Sequence, residues 1–208
     1  PSHKNVDVIC CKECYRMLKS EDILGQVAKR LRNEMKEGLD FTTLLPYPQS
    51  EVEEIFGEFP KIQKDITLEP KQKLALMSVP SLKVIKNFIR KAFLETETPF
   101  KDLLYMITLM HKFLRKTDCA LTSLNWRPLC MVTLKVVEKW TLADDHLGYA
   151  DLTTIYPKFS PEEYYNLEME FLEFIEYDHA IESVETHRWF SVFEEELGKI
   201  NKSSIGWQ

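Results

Sequence analysis

The segment that most restricts the fold is residues 125–142, which would be apolar almost all the way round if it formed a helix. Three of its four charged residues, Lys135, Glu138 and Lys139, cluster towards one edge near the C-terminal end. A helix that is apolar on nearly every side must be surrounded by other elements. Pro128 falls in the first turn, where a missing N–H group is tolerated. The segment therefore predicts the central helix of a bundle.

Four more segments after residue 78 carry apolar residues at helical spacing, and short connections join them. They cover residues 81–94, 100–115, 160–177 and 183–197, and a linking piece at 149–156 is predicted to be a short helix. No strand-like alternation of apolar and polar residues occurs between residues 78 and 197. The sequence therefore predicts an all-α fold, a five-helix bundle with a buried third helix.

Residues 1–77 are predicted to form an N-terminal helical extension that lies on the bundle, and residues 201–208 a tail. An apolar stripe predicts a helix over residues 20–37, with Gly38 as its stop. The opposite face of this helix is basic and carries Lys29, Arg30, Arg32 and Lys36. Such a face is usually solvated, and binding of a partner is the alternative.

The rest of the extension is predicted to be largely irregular. Prolines at positions 46, 48, 60 and 70 interrupt it. Ser50 and Glu53 form a capping box, the pattern that starts a helix, and predict one short helix over residues 51–56. The predicted organisation is an extension over 1–77, a folded domain over 78–200 and the tail.

Segment 160–177 begins with a second capping box, Ser160 with Glu163, and has Pro161 at the first helical position. Its polar residues recur every three or four positions along one helical face, at Glu162, Glu163, Asn166, Glu170 and Glu173. Glu168 lies off that face, among Tyr164, Tyr165, Phe171 and Leu172. A carboxylate in such surroundings is costly to desolvate unless it has a partner. We therefore expect Glu168 to pair with a cation, either within the chain or on another protein.

Charge and motifs exclude several classes of function. The formal net charge of −6 leaves no basic excess for general nucleic-acid binding. The sequence contains no HExxH or GxSxG motif, no set of kinase motifs and no glycine-rich phosphate loop. We expect a protein that is not an enzyme and needs no cofactor.

The five cysteines, an odd and unpatterned number, indicate reduced thiols and an intracellular protein, cytoplasmic or nuclear. No segment approaches the roughly 20 apolar residues that span a bilayer, and no signal peptide is apparent. A membrane-targeting signal upstream of Pro1 remains open.

Two clusters raise the alternative of a metal site. Cys10, Cys11 and Cys14 form the run CCKEC, but structural zinc normally needs four ligands and no second cysteine pair follows. Asp144, Asp145 and His146 could hold a cation, although a solvated turn is the simpler interpretation. We predict no metal, and a metal-dependent module built on CCKEC is the weaker alternative.

Three stretches of the sequence resemble the cyclin box, and the closest pattern is the branch of cyclin Y and the yeast phosphate-pathway cyclins. PSLKVIKNFIRKAF resembles the first box helix, and SPEEYYNLEMEFLEFIEYDHAI the fifth. NWRPLCMVTLKVVEKW resembles the third, in which Trp126 precedes a basic residue and Lys139 follows 13 residues later. Six residues carry the match in the fifth helix: Leu167, Glu168, Phe171, Leu172, Tyr177 and Asp178. The resemblance covers about residues 78–195, which is room for a single cyclin box.

The resemblance implies a regulatory subunit that binds and activates a cyclin-dependent protein kinase by docking on its C-helix. It places Lys139 and Glu168 together on the kinase-binding face. Weaker candidates around them are Lys135, Glu138, Glu170 and Phe171. A purely internal Lys139–Glu168 pair is an alternative for these two residues. A non-activating adaptor with a cyclin-like fold is the alternative function, and the oligomeric state is open.

The chain departs from the cyclin pattern at two points. His111 stands where cyclins commonly have an acidic residue that pairs with a base of the first helix. The first helix also lacks the MRAIL-type motif that docks substrates in cell-cycle cyclins. Both interactions are therefore expected to be absent or altered.

Overall fold

The computed structural model describes residues 20–42, 51–96, 100–141, 148–178 and 191. Within these ranges the regular structure is helical and contains no strand, which confirms the all-α class. The helices are α1 (Ser20–Thr42), α2 (Glu51–Phe56), α3 (Phe59–Lys64), α4 (Pro70–Met77), α5 (Leu82–Glu95), α6 (Phe100–Thr117), α7 (Trp126–Thr141), α8 (Tyr149–Ile155) and α9 (Pro161–Phe174).

Four predictions fall on other parts of the chain. The predicted helix 183–197, apart from Ser191, lies outside the described residues, as do the CCKEC run, the loop at 144–146 and the tail at 201–208. Among the helices that are described, none combines the length and the apolar character needed to cross a membrane.

Helix α7 occupies the centre of the described helices. Every residue from Trp126 to Glu138 is buried, as expected for a helix that is apolar on nearly all sides. Helix α6 packs along α7, and α9 contacts both of them. The predicted central position of this segment is confirmed.

The start of α9 follows from its sequence. The backbone N–H of Glu163 donates to Oγ of Ser160 at 3.2 Å, and the backbone N–H of Ser160 donates to Oε2 of Glu163 at 2.7 Å. This reciprocal pair is the predicted capping box, and it satisfies two backbone donors that the first helical turn leaves unpaired.

Two features of the extension differ from the predictions. Helix α1 continues through Gly38 to Thr42, because Gly38 keeps a helical backbone and does not adopt a left-handed conformation. Helices α3 and α4 were not predicted, since Pro60 and Pro70 were interpreted as interruptions. Both prolines lie in first turns, where proline fits a helix.

The extension and the bundle share one hydrophobic core. Buried residues of α1 and α2, among them Leu24, Leu31 and Phe56, belong to the same cluster as those of α5 to α9. The ring of Phe56 meets Phe113 at a centroid distance of 5.2 Å and Phe171 at 6.5 Å, edge-on in both cases. Side chains from both sides of the predicted 77/78 boundary therefore stabilise each other.

Candidate functional site

Lys139 in the last turn of α7 and Glu168 in the middle of α9 form an ion pair. Nζ of Lys139 lies 2.5 Å from Oε1 of Glu168, which confirms the predicted pairing. The packing of α9 against α7 brings together two residues that are 29 positions apart. The Glu168 side chain is 2% exposed and that of Lys139 is 38% exposed. The carboxylate is therefore buried, whereas the ammonium group reaches solvent.

Tyr149, the first residue of α8, completes the site. Its hydroxyl group donates a hydrogen bond of 2.9 Å to Oε2 of Glu168. Nζ of Lys139 also lies 3.4 Å from this hydroxyl oxygen. Both oxygens of the buried carboxylate thus have a donor, as a desolvated carboxylate requires.

The electrostatics keep these groups in defined protonation states. Burial opposes the charge of Lys139, but the contacts with Glu168 outweigh it and raise the pKa of the amine. Burial, together with the Glu168 carboxylate, raises the pKa of Tyr149, so its hydroxyl group stays a donor at neutral pH. The site therefore presents a cation at the surface, held by a buried anion.

Lys135 lies one turn before Lys139 on α7. Its Nζ is 5.2 Å from the centre of the Tyr149 ring, and that of Lys139 is 5.6 Å from it. Burial and then the neighbouring Lys139 charge lower the pKa of Lys135. Both ammonium groups lie within cation–π distance of the same ring, and this attraction offsets part of their mutual repulsion.

The other predicted site residues occupy different environments. Glu138 is fully buried on α7, and Glu170 is partly exposed on α9. Phe171 is also fully buried, one turn after Glu168, and stacks on Phe113 with centroids 4.8 Å apart. Phe171 therefore supports the site from within the core.

Two exposed aromatic side chains belong to residues that are close to the ion pair in the chain. Trp140 follows Lys139 directly and is 43% exposed, and Tyr165 on α9 is 49% exposed. The Tyr165 ring meets that of Tyr149 edge-on at 5.8 Å. Tyrosine and tryptophan around a buried polar centre are the composition typical of protein–protein interfaces. We call Lys139, Trp140, Tyr149, Tyr165 and Glu168 the pair surface.

Comparison with known proteins gave no match. This holds for a scan against protein-family models, a search of curated proteins and a search of solved structures. In the part of the chain that the structure describes, no three His, Cys, Asp or Glu side chains are grouped so that they could hold a metal ion.

Tyr149 was missed at the sequence level because nothing in a short linking helix indicates a contact 19 positions further along the chain. A signal did exist for a second polar cluster, since Arg127 is a charged residue at the start of an otherwise apolar helix. Its Nη1 lies 3.0 Å from Oε2 of Glu58, and both side chains are buried. The hydroxyl group of Tyr156 donates to Oε1 of Glu58 at 2.7 Å.

This second cluster joins the extension to the helices of the pair surface. Burial raises the pKa of Glu58 even though Arg127 lies beside it. Two further ion pairs follow along the same segment, Lys61 with Glu163 and Asp65 with Lys158. Residues 58–65 are thereby fixed to the starts of α7 and α9 and to the segment that links α8 to α9.

Proposed function

We propose that this chain is a cyclin-like regulatory subunit that binds and activates a cyclin-dependent protein kinase. The observation that carries the proposal is the Lys139–Glu168 ion pair at 2.5 Å, with the exposed aromatic residues Trp140 and Tyr165 close to it in the chain. The resemblance of the third and fifth box helices assigns these same two residues to the kinase-binding face. The all-α fold with α7 at its centre is compatible with a cyclin box.

The pair surface would act through its cation. An ammonium group has three N–H donors, and Lys139 directs one to Glu168 and one to the Tyr149 hydroxyl oxygen and keeps a solvent-facing side. The remaining donor can meet a backbone carbonyl group of a partner, while Trp140 and Tyr165 supply apolar contact area. Glu168 and Tyr149 hold the amine in place, so little side-chain entropy is lost on binding.

Activation would follow from differential binding. A protein kinase is active when an ion pair joins the lysine of strand β3 to the glutamate of the C-helix. A subunit that binds better to the inward C-helix shifts the population towards that state. A subunit that binds both states equally well would bind without activating, which is the adaptor alternative.

The test is to co-purify the chain with a panel of cyclin-dependent kinases, and to measure affinity and peptide phosphorylation. Truncating one member of a desolvated charge pair weakens binding by about 2–5 kcal/mol, so Glu168→Ala or Lys139→Ala should reduce affinity about 30-fold or more. The matched control is the surface pair of Lys116 and Glu176, whose Nζ and Oε2 lie 2.8 Å apart. Changing both control residues to alanine should leave affinity and activation unchanged.

Circular dichroism and thermal melting establish that each variant is folded. If folded Glu168→Ala and Lys139→Ala bind and activate a kinase like the wild type, the proposed site is wrong. Binding that is sensitive to both changes but leaves kinase activity unchanged would identify the adaptor instead.

A further inference from the structure

Ser160 ends the segment that links α8 to α9, and Pro161 follows it directly. Ser160, Pro161 and Glu162 are all exposed. The Ser160 backbone is extended, with a φ of −72° and a ψ of 165°, as expected for a residue that precedes a proline. Proline-directed serine/threonine kinases accept a Ser–Pro or Thr–Pro pair in this conformation, because the proline has no N–H group that must be paired. The position therefore has the sequence and the backbone of a phosphorylation site.

The full sequence contains two pairs of this kind, Ser160–Pro161 and Thr98–Pro99. Only the first lies within the residues that the structure describes. The hydroxyl oxygen of Ser160 accepts from the backbone N–H of Glu163 at 3.2 Å, in an exposed contact. Because the hydroxyl group acts as an acceptor in this bond, the bond does not use its proton. Phosphorylation of Ser160 therefore does not have to break a buried interaction.

Lys61 of α3 contacts residues on either side of Ser160. Its Nζ lies 4.4 Å from the centre of the Phe159 ring and forms an ion pair with Oε1 of Glu163. Oε2 of the same carboxylate accepts from the backbone N–H of Ser160 at 2.7 Å. One carboxylate group thus lies between the Lys61 amine and Ser160. The Lys61 side chain is 30% exposed and the Glu163 side chain 46%, so both have room to move.

Further charged residues lie close to Ser160 in the chain. Lys158, two residues earlier, pairs with Asp65, which directly follows α3, at 2.5 Å. Glu162 is exposed, so solvent and salt screen its repulsion of a second anion. The cations of Lys61 and Lys158 can therefore stabilise a negative charge that is added at Ser160.

We propose that a proline-directed kinase phosphorylates Ser160 and that Lys61 then binds the phosphate group. In this transfer Oγ of Ser160 attacks the γ-phosphorus of ATP, and its proton passes to the catalytic aspartate of the kinase. The new P–O bond forms as the bond between the γ-phosphorus and the bridging oxygen breaks, and ADP leaves.

The charge of the product decides which anion Lys61 binds. A phosphoserine carries about −1.5 to −2 charges at pH 7 and has three acceptor oxygens, whereas the Glu163 carboxylate has a single charge on two oxygens. Charge-assisted hydrogen bonds to phosphate are among the strong ones in proteins. The Lys61 amine, which one carboxylate separates from Ser160, is therefore expected to move from Glu163 to the phosphate. Phosphorylation thereby strengthens the link between α3 and the start of α9.

The first experiment asks whether Ser160 of the folded full chain accepts phosphate. The chain is incubated with ATP, Mg²⁺ and either a purified mitogen-activated protein kinase or a purified, active cyclin–kinase complex, and mass spectrometry locates the phosphate. We expect phosphate at Ser160 and none at this position with Ser160→Ala. Pro161→Ala keeps the serine but removes the proline, and should lower the rate by about tenfold or more. Thr98 is an internal reference for proline-directed transfer.

The second experiment measures whether Lys61 binds the phosphate. Thermal melting compares the phosphorylated and unmodified chains in a Thr98→Ala background, so that the phosphate is at Ser160. We expect phosphorylation to raise the melting temperature by about 2–4 °C, and Lys61→Met to abolish this rise. Lys64→Met, at an exposed lysine of the same helix, is the matched control and should keep the rise. If Lys61→Met does not fold, Lys61→Gln provides the same comparison.

Absence of phosphate at Ser160 with both kinases, whether or not Thr98 is modified, overturns the proposal. So does a melting temperature that phosphorylation lowers, or that it changes equally in the Lys61→Met and Lys64→Met variants. Neither measurement involves binding of a kinase by the pair surface, so the outcome is separate from that of the proposed function.

Discussion

The hydroxyl group of Tyr149 donates a hydrogen bond of 2.9 Å to Oε2 of Glu168, from α8 to α9. Because Glu168 is buried, removal of this donor leaves an anionic oxygen without its partner. We expect Tyr149→Phe to lower the free energy of unfolding by about 1–3 kcal/mol. Urea denaturation measures this change. Tyr165→Phe, at an exposed ring next to Tyr149, should have little effect, and equal losses from the two variants would contradict the role of this hydrogen bond.

Substitutions at Glu58 and Arg127 should have strongly non-additive effects on the free energy of unfolding. Removal of one member of a buried ion pair leaves the other charge desolvated, so Glu58→Gln and Arg127→Met should each cost about 3 kcal/mol of stability. The double variant should lose less than the sum of the two, with a coupling energy of about 1–3 kcal/mol. Chemical denaturation of the four proteins gives this coupling. Additive losses would show that the pair does not act as a unit.

Phe56→Ala tests whether the extension and the bundle fold together. The change opens a cavity against Phe113 and Phe171, and we expect a loss of about 3–5 kcal/mol. Ile66, in the same extension, is 96% exposed, so Ile66→Ala should change stability by less than about 0.5 kcal/mol. If Phe56→Ala unfolds only α2 and leaves the main unfolding transition unchanged, the two parts unfold separately.

His111 should make stability depend on pH. Burial, followed by the charges of Arg30 and Arg115, lowers the pKa of His111 from 6.5 to about 4. Below pH 6.5 the unfolded chain takes up a proton that the folded chain does not, so stability falls as the pH falls. The contribution is about 2 kcal/mol between pH 6.5 and 5.

Glu34 makes the opposite contribution to the pH dependence of stability. Its Oε1 lies 3.2 Å from Nε2 of His111, and burial raises the pKa of its carboxyl group. A comparison of the wild type with His111→Gln isolates the histidine contribution. The variant should lose less stability between pH 6.5 and 5, and an unchanged pH dependence would show that His111 does not titrate as described.

Periodicity was sufficient to predict most helices, because apolar residues at spacings of three and four determine which face is buried. It also indicated that Glu168 needs a cation, but Lys139 was named as the partner only through the resemblance to the cyclin box. It could not find Tyr149, because a tyrosine at the start of a short helix is compatible with many environments. Only the packing of α8 against α9 brings its hydroxyl group to Glu168.

Proline positions limited the prediction of the extension. A proline interrupts a helix interior but fits a first turn, and the sequence around Pro60 and Pro70 does not distinguish the two cases. The same limit applies to Glu58, whose partners lie 69 and 98 positions away. Contacts of this length depend on the three-dimensional arrangement and have no local signature.

The aromatic cluster of Phe56, Phe113 and Phe171 limits where this chain can be truncated. One of its three rings comes from the chain before residue 78, and another lies one turn after Glu168. A truncated chain that begins at residue 78 would expose the faces of Phe113 and Phe171 that Phe56 covers. Such a fragment would be prone to aggregate, and a loss of activity caused by poor folding would be mistaken for a regulatory role of the missing residues. Because α1 contributes buried residues to the same core, the smallest transferable unit includes the residues from α1 onwards.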